Sequence, residues 1–311
     1  MNRRSFVGTM AASGIGMSVP QMTRSSGTIA QPLAVHIFSK HLQFLDYYEM
    51  AAMAAEIGFD GVELTVRPKG HVLPENVGRD LPLAVKAVRS QGLKASQVAS
   101  DVNDLEVEHS RAVLDALADQ GVEMYRMRYY RYPKQGDLLE PLLSFREKAS
   151  VLSDYNQEAG LCAIYQNHAG TMFGSSMWEI RQMCEGLPPE TIGCQYDIRH
   201  ATVEGGKSWQ KEIRLVLPLI KSIVAKDFLW KEVDGKWELT NVPLGEGMAD
   251  FQTYFSILKE HNINVPAVLH LEYPIGGAEH GDRDLDESSK QLVYAAMRKD
   301  LAKVHEMWNA A

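Results

Sequence analysis

Two side chains that can hold a metal ion or a sugar hydroxyl follow a short apolar run in the second half of the chain. Asp197 and His200 lie three residues apart, after the alternating residues Ile192, Cys194 and Tyr196. The run predicts a buried strand, and the two polar side chains then fall at its carboxyl end, where we expect a loop. A carboxylate and an imidazole in this place are suited to bind a divalent cation or a hydroxyl. A salt bridge within the loop is the alternative interpretation.

Polar residues recur at the carboxyl ends of other predicted strands. A parallel strand that is buried on both faces is almost entirely apolar, so ionisable side chains are expected only where the core ends. Lys226 follows the apolar triplet 223–225, which predicts either a buried ion pair or a lysine tuned for chemistry. The remaining candidates are open to structural interpretations as ion pairs or helix caps, and His270 is predicted to be a core imidazole. These candidates are Glu63, Arg67, Arg128, Gln166, Asn167, His168 and Glu272.

The elements that must position these side chains alternate along the chain. Predicted strands cover residues 33–38, 60–66, 93–98, 122–128, 161–167, 192–198, 220–227 and 265–273. The segments between them have helical periodicity, and most end at a glycine or a polar turn. Eight repeats of strand and helix predict a (β/α)8 TIM barrel that forms a single domain over residues 31–311. In such a barrel the carboxyl ends of all strands share one face, so the polar candidates are expected to converge there.

Composition excludes two classes of partner. The chain of 311 residues carries a net charge of −8, which argues against a nucleic-acid ligand. Its apolar runs are all shorter than the roughly 18 residues of a membrane span.

The three cysteines, Cys162, Cys184 and Cys194, have no paired spacing and are interpreted as structural. The segment 228–244 contains a Val-Asp-Gly-Lys-Trp turn, which predicts a β-hairpin that forms a lid or wall.

The first thirty residues differ from the rest. Arg3 and Arg4 are followed by Ser5 and Phe6, and then by a mildly apolar stretch rich in glycine and alanine. This pattern is typical of a twin-arginine (Tat) export signal, with cleavage expected between residues 21 and 31. It predicts a periplasmic mature protein, and a disordered basic tail is the alternative.

Several of these motifs, taken together, resemble those of the sugar phosphate isomerase/epimerase family of xylose-isomerase-like TIM barrels. The resemblance extends from Val35 to Tyr273. The motifs that carry it are residues 58–63, Asn167-His168, Asp197 with His200, Lys226-Asp227, the Gly-Glu-Gly of 245–247 with Asp250-Phe251, and Glu272.

The resemblance implies a divalent metal at the mouth of the barrel, held by four side chains. Asp197 and Glu272 match two of the four ligands, but Gln166 and Val224 occupy the positions of the other two. The usual four-ligand site therefore cannot form. Either Mn, Zn or Mg binds through a reduced site that His168, His200 or Glu63 completes, or Lys226 takes the place of the metal.

The family chemistry is abstraction of a proton next to a carbonyl, through an enediolate. Applied to this chain, it implies Glu272 and Glu63 as bases, with burial raising their pKa toward neutrality, and Lys226 or a metal as the electrophile. The residues expected to contact a small-molecule sugar are His200, His168, Asn167, Arg67, Gln166 and Arg128.

Three functions remain open from the sequence. An exported isomerase or epimerase would meet an unphosphorylated or oxidised (keto) sugar. A β-eliminating lyase on an oxidised glycoside would use the same first step, and a non-catalytic sugar-binding barrel would explain the lost ligands. The sequence leaves both a monomer and an oligomer open.

Overall fold

The computed structural model describes residues 31–311, so the export signal expected over residues 1–30 lies outside the described residues. Within them, eight parallel strands form a closed barrel in which each strand pairs with its neighbours in the chain and the last pairs with the first. This confirms the predicted TIM barrel. The barrel strands are β1 (Val35–Phe38), β2 (Gly61–Val66), β3 (Lys94–Ser100), β4 (Met124–Arg126), β5 (Cys162–Gln166), β6 (Ile192–Asp197), β7 (Ile220–Ala225) and β10 (Ala267–Leu269).

Helices connect the strands. The first helix has well-defined ends. Asp46 and Glu49 form a capping box at its start, and Gly58 ends it with a φ of 103°. The helices are α1 (Tyr47–Ile57), α2 (Val77–Ser90), α3 (Ser110–Asp119), α4 (Leu139–Ala159), α5 (Met177–Met183), α6 (Ile198–Gly205), α7 (Trp209–Val216), α8 (Phe251–Glu260) and α9 (Glu287–Ala310).

The barrel interior is unusually polar. Side chains alternate across each strand, so one set packs outward on the helices and the other fills the barrel. A small apolar cluster of Phe38, Ala99 and Val268 lies apart from the main core. Beside it, Glu63, Gln97 and other polar side chains are fully buried. Burying a carboxylate costs free energy unless it is paired, and Glu63 accepts hydrogen bonds from Gln97 and Gln195.

The hairpin expected after the seventh strand is confirmed. It consists of β8 (Asp227–Val233) and the antiparallel β9 (Lys236–Val242). Asp234 and Gly235 form the turn with φ values of 50° and 75°. Two positive φ values are what a type I′ turn requires, and Asp-Gly is a favoured pair for it.

Several predicted element boundaries were wrong, and two of them affect the residues at the strand ends. The segment after Asp197 is the helix α6 rather than a loop. The eighth strand was expected over residues 265–273 but covers only Ala267–Leu269. Its pairing ends early because the backbone N–H of Leu271 donates to His41 Nε2, at 3.0 Å, instead of to a neighbouring strand.

Two further findings concern the described part of the chain. None of its helices combines the length and the apolar character needed to cross a bilayer. All three cysteines are buried free thiols, as predicted, and burial raises the pKa of Cys162 to about 11.

Asp300 makes stability depend on pH. Its Oδ2 accepts a hydrogen bond of 2.9 Å from Tyr273, while Oδ1 has no partner within residues 31–311. Burial raises the pKa of this carboxyl from 3.8 to about 6. The folded state therefore binds the proton more tightly than the unfolded state, and stability is lost as the pH rises through about 4 to 6. We expect Asp300→Asn to increase the free energy of unfolding by about 1–3 kcal/mol near pH 8 and to change it little near pH 4.

Urea denaturation at both pH values measures this difference. Asp154→Asn, on the exposed face of α4, is the matched control and should be neutral at both. An equal effect of Asp300→Asn at the two pH values would contradict the assignment.

Candidate active site

Lys226 is the centre of a cluster of charged side chains at the carboxyl ends of the strands. It follows β7 directly and is only 4% exposed. Its Nζ lies 3.1 Å from Asp197 Oδ2, 3.2 Å from Glu272 Oε2 and 2.8 Å from His200 Nε2. One ammonium group therefore joins the ends of β6, β7 and the segment after β10. A buried cation with two carboxylates is an ion-pair network in which removal of the lysine would leave two buried acids without their cation.

Asp197 is held from several sides. As N-cap of α6 it accepts from the backbone N–H of His200 at 3.1 Å, which explains the three-residue spacing. Its second oxygen accepts from Gln166 Nε2 at 2.7 Å. The side chain of Asn167 brackets the backbone of Asp197, donating to its carbonyl at 2.9 Å and accepting from its N–H at 2.7 Å. This fixed carboxylate can orient Lys226 but has little freedom of its own.

His200 is a neutral imidazole between two cationic groups. Arg199 lies 2.9 Å from Nδ1, and Lys226 lies opposite, at Nε2. Burial, Lys226 and the neighbouring His168 lower its pKa well below the usual value. The rings of His168 and His200 are 4.0 Å apart. His168 is also neutral at physiological pH, since burial and Lys226 lower its pKa too, and its Nδ1 is tied to the carbonyl of Ala169.

Glu272 is the acid of the cluster that faces the opening. Its side chain is 27% exposed, whereas those of Asp197 and Glu63 are inaccessible. Its backbone carbonyl accepts from Asn241, at the base of the hairpin, and Asn241 also accepts from Arg199 at 2.6 Å. The hairpin is thus a wall of the site, fixed to the segment that carries Glu272.

Glu63 lies deeper in the barrel, below the opening. Its Oε1 accepts from Gln97 at 2.6 Å and from Gln195 at 3.1 Å. His270 stands between the two glutamates, 3.7 Å from Glu63 Oε2 and 3.6 Å from Glu272 Oε1. These distances are too long for hydrogen bonds. His270 is a buried residue as predicted, but it links the interior carboxylate to the exposed one rather than filling an apolar core.

The expected rise in the pKa of both glutamates was wrong. Burial does raise the pKa of Glu63, but Arg126, His270 and Gln97 together outweigh it and lower the value to about 2. Burial is likewise outweighed at Glu272 by Lys226 and His270, which hold the pKa well below its usual range. Both groups are therefore carboxylates at neutral pH, because nearby cations act more strongly than desolvation.

The side chains present do not fit the four-ligand metal site that the resemblance implies. Val224 offers no donor atom. The oxygen of Gln166 already accepts from Arg126 and Tyr129, and its NH2 group donates to Asp197. The ammonium of Lys226 lies within ion-pair distance of both matching carboxylates and would repel a metal ion between them.

Three of the residues expected to contact substrate have other partners. Asn167 is fully buried and uses its amide on the backbone of Asp197. Gln166 is buried among Arg126, Tyr129 and Asp197, so both act as positioning residues. Arg128 is 48% exposed and pairs with Asp101 at 3.2 Å, away from the cluster. The predicted strand 122–128 ends at Arg126, so Arg128 lies beyond the strand end.

Further residues line the side of the mouth formed by β1, β2 and β4. They are Arg126, Tyr129, Lys40 and Phe38, and Arg67 lies on the same side. The sequence indicates Arg126, which lies in the predicted fourth strand, whereas Lys40 follows a strand end in a short 3-10 turn with no recognisable pattern.

Asp227, beside Lys226, explains the Gly-Glu-Gly motif. Its carboxylate accepts four backbone N–H groups, from Phe228, Gly245, Gly247 and Ala249, at 2.9–3.1 Å. A Cβ added at Gly247 would come within 2.4 Å of the carboxyl carbon of Asp227, so only glycine fits there. Asp227 therefore anchors the loop that follows the hairpin and has no oxygen left for a ligand.

The closed barrel and the charged cluster at its mouth define a member of a known family. The family model described as xylose isomerase-like TIM barrel matches residues 51–293, and the chain belongs to that family. No curated protein sequence matches the chain significantly.

Solved structures with the same fold include several sugar epimerases. A 3-keto-D-glucoside 4-epimerase from E. coli is 15% identical, with a TM-score of 0.63 over 88% of this chain and 99% of that one. A D-allulose 3-epimerase from Methylomonas sp. is 15% identical, with a TM-score of 0.64 over 89% and 98%. A D-psicose 3-epimerase from Clostridium cellulolyticum is 12% identical, with a TM-score of 0.61 over 88% and 99%. At these identities the likeness establishes the fold.

Removal of the Asp227 carboxylate should loosen this loop. Asp227→Asn presents an NH2 group to backbone donors, and we expect it to lower the free energy of unfolding by about 2–4 kcal/mol. Chemical denaturation measures the change. Glu246→Gln, in the same loop, is the control, because Glu246 makes only a surface ion pair with Lys299. A loss at Asp227 no larger than that at Glu246 would rule out the anchoring role.

Proposed function

We propose that the protein is a sugar isomerase or epimerase that abstracts a proton next to the carbonyl of a keto sugar, with Lys226 as its electrophile. The observation that carries the proposal is the position of the Lys226 ammonium, 3.1 Å from Asp197 and 3.2 Å from Glu272. The resemblance assigns these two carboxylates to a metal. A positive centre is what the enediolate requires, and the lysine supplies one from the chain itself.

Glu272 is the proposed base. It is ionised, it is the most exposed acid of the cluster, and it reaches the same ammonium that would face the substrate carbonyl. In the first step the C–H bond next to the carbonyl breaks, the proton passes to Glu272, and the electron pair moves to the carbonyl oxygen beside Lys226. As the ammonium turns to the new oxyanion, it holds the Glu272 carboxylate less strongly, and the basicity of Glu272 rises. Delivery of a proton from solvent to the opposite face of the same carbon gives the epimer. Return of the proton from Glu272 to the neighbouring carbon, while the hydroxyl proton there passes to the former carbonyl oxygen, gives the isomer.

Each neighbouring group has a supporting part. Asp197 and His200 hold the Lys226 ammonium in place. Glu63 lies too deep to contact substrate. It lies next to His270, which lies next to Glu272, and so it can influence the charge of Glu272. The similarity of fold to a 3-keto-D-glucoside 4-epimerase agrees with a keto-sugar substrate. A β-eliminating lyase would begin with the same proton transfer and differ only in a leaving group on the next carbon.

Deuterium exchange at the carbon next to the carbonyl tests the proposal directly. In deuterated water, with D-fructose, D-psicose and a 3-keto-glucoside as substrates, we expect the wild-type protein to exchange the proton at a rate that EDTA leaves unchanged. Glu272→Gln should lower the rate by about 10²–10⁴, and Lys226→Met by about 10²–10³. Lys231→Met, on the exposed hairpin, is the matched control and should retain the wild-type rate.

The outcomes separate the candidate functions. Loss of exchange on chelation, with recovery on Mn²⁺, would refute the role of Lys226 in place of a metal. Elimination products that appear with exchange would identify a lyase. Binding of these sugars without exchange in any form would favour a non-catalytic sugar-binding barrel.

We also propose that the protein is exported to the periplasm by the Tat route, on the evidence of Arg3 and Arg4 and the apolar stretch after them. N-terminal sequencing of the periplasmic form should then begin between residues 21 and 31. A variant with both arginines changed to lysine should stay uncleaved in the cytoplasm. Equal export of this variant would argue against the Tat route.

A further inference from the structure

Cations gather on the side of the barrel mouth that faces the catalytic cluster. Around the ring of Phe38 lie Arg126, with its guanidinium carbon 5.0 Å from the ring centroid, Arg67 at 5.4 Å and the Lys40 ammonium at 5.6 Å. They follow β4, β2 and β1, whereas Lys226 and Glu272 follow β7 and β10. We call Lys40, Arg67 and Arg126 the cationic trio.

Two members of the trio lack partners. Arg126 donates to Gln166 at 2.5 Å. Across residues 31–311, the side chains of Lys40 and Arg67 make neither a hydrogen bond nor an ion pair. The nearest acids act on the trio only from beyond ion-pair distance: Glu272 on Lys40, and Glu63 on Arg67 and Arg126. The ion pair of Glu272 is with Lys226, and the hydrogen bonds of Glu63 come from amide donors.

The proximity of the three cations to one another costs free energy when no ligand is bound. Burial lowers the pKa of Lys40 to about 8, with Lys226, Arg67 and Arg126 acting in the same direction and Glu272 against it. Burial and Arg126 lower the pKa of Arg67 to about 10. Half-buried like charges that repel one another persist only where something compensates, and at a binding site the usual compensation is a ligand.

We infer that Lys40 and Arg67 bind an anionic group of the substrate, so that the sugar is an acid with its carbonyl at Lys226 and its carboxylate at the trio. This inference rests on the proposed function and names the substrate class. A guanidinium matches the two oxygens of a carboxylate in a forked pair, and the lysine adds a point charge. A phosphate monoester has the same anionic chemistry, and the experiment separates the two.

Binding of matched sugars to the full-length protein tests the inference. Isothermal titration with D-glucuronate, D-glucose 6-phosphate and D-glucose compares a carboxylate, a phosphate and a hydroxyl on one ring. We expect glucuronate to bind at least about ten times more tightly than glucose, with an advantage that shrinks as salt rises. A larger advantage for the phosphate ester would identify phosphate as the natural anion.

Variants locate the effect. Arg67→Gln and Lys40→Met should each reduce the advantage of the anion over glucose about tenfold. Arg79→Gln and Lys86→Met, at exposed positions outside the mouth, are the matched controls and should preserve it. Without ligand, Lys40→Met should melt at the same or a higher temperature than the wild type, because it removes a repulsive charge. This measurement also verifies that the variant folds.

Three results would overturn the inference: equal binding of glucuronate, phosphate ester and glucose, failure of both anions to bind, or an anion preference that survives in both variants. Its failure is distinct from failure of the proposed function. Proton exchange on neutral keto sugars without any anion preference would leave the enzyme assignment intact and refute the acidic substrate. If both the wild type and Glu272→Gln bind the anion but neither exchanges the proton, the anion site stands and the enzyme assignment is refuted.

Discussion

A single buried ammonium determines how the mouth of this barrel is arranged. Lys226 lies within 3.2 Å of two carboxylates and a neutral imidazole that come from two other strand ends, those of β6 and β10. Each carboxylate would be costly to bury alone, and the lysine would be costly without them. The arrangement therefore requires that Asp197 and Glu272 stay in place, and the surrounding hydrogen bonds serve that purpose. Asn167 and Gln166 clamp Asp197, while His41 and Asn241 hold the segment around Glu272.

The same interaction accounts for the departures from the family's ligand pattern. A metal site needs four donors directed at one point, with open lone pairs. Here valine stands at one position, and the glutamine at another turns its NH2 group toward Asp197. These changes disfavour binding of a metal ion from solution. They are compatible with a lysine, because its ammonium group carries its own positive charge and three hydrogen-bond donors. In the proposed function, Lys226 therefore takes the place that a metal ion would hold.

Sequence reasoning could reach the convergence of Asp197, Lys226 and Glu272, because polar residues at the ends of buried strands must meet on one face of a closed barrel. It could not tell which neighbours contact substrate. Gln166 and Asn167 have the right residue types and the right location, but their partners are set by side-chain geometry that no local pattern encodes. Arg128 was misplaced because β4 ends two residues earlier than predicted. The pKa of Glu63 is lowered rather than raised because Arg126, which lies on a different strand, is close to it in space.

Charged side chains are distributed unevenly across the mouth of the barrel, and this distribution affects how a ligand would be oriented. On the side of β6, β7 and β10, the two carboxylates Asp197 and Glu272 are balanced by two cations, Lys226 and Arg199, so that side can accept a neutral carbonyl. On the side of β1, β2 and β4, positive charge exceeds what the chain neutralises. A ligand that is neutral throughout would leave this excess in place, whereas one with an anionic end would relieve it and be oriented by it. Electrostatics alone thus favours one direction of binding, with the reacting carbon placed at Glu272 rather than at the trio.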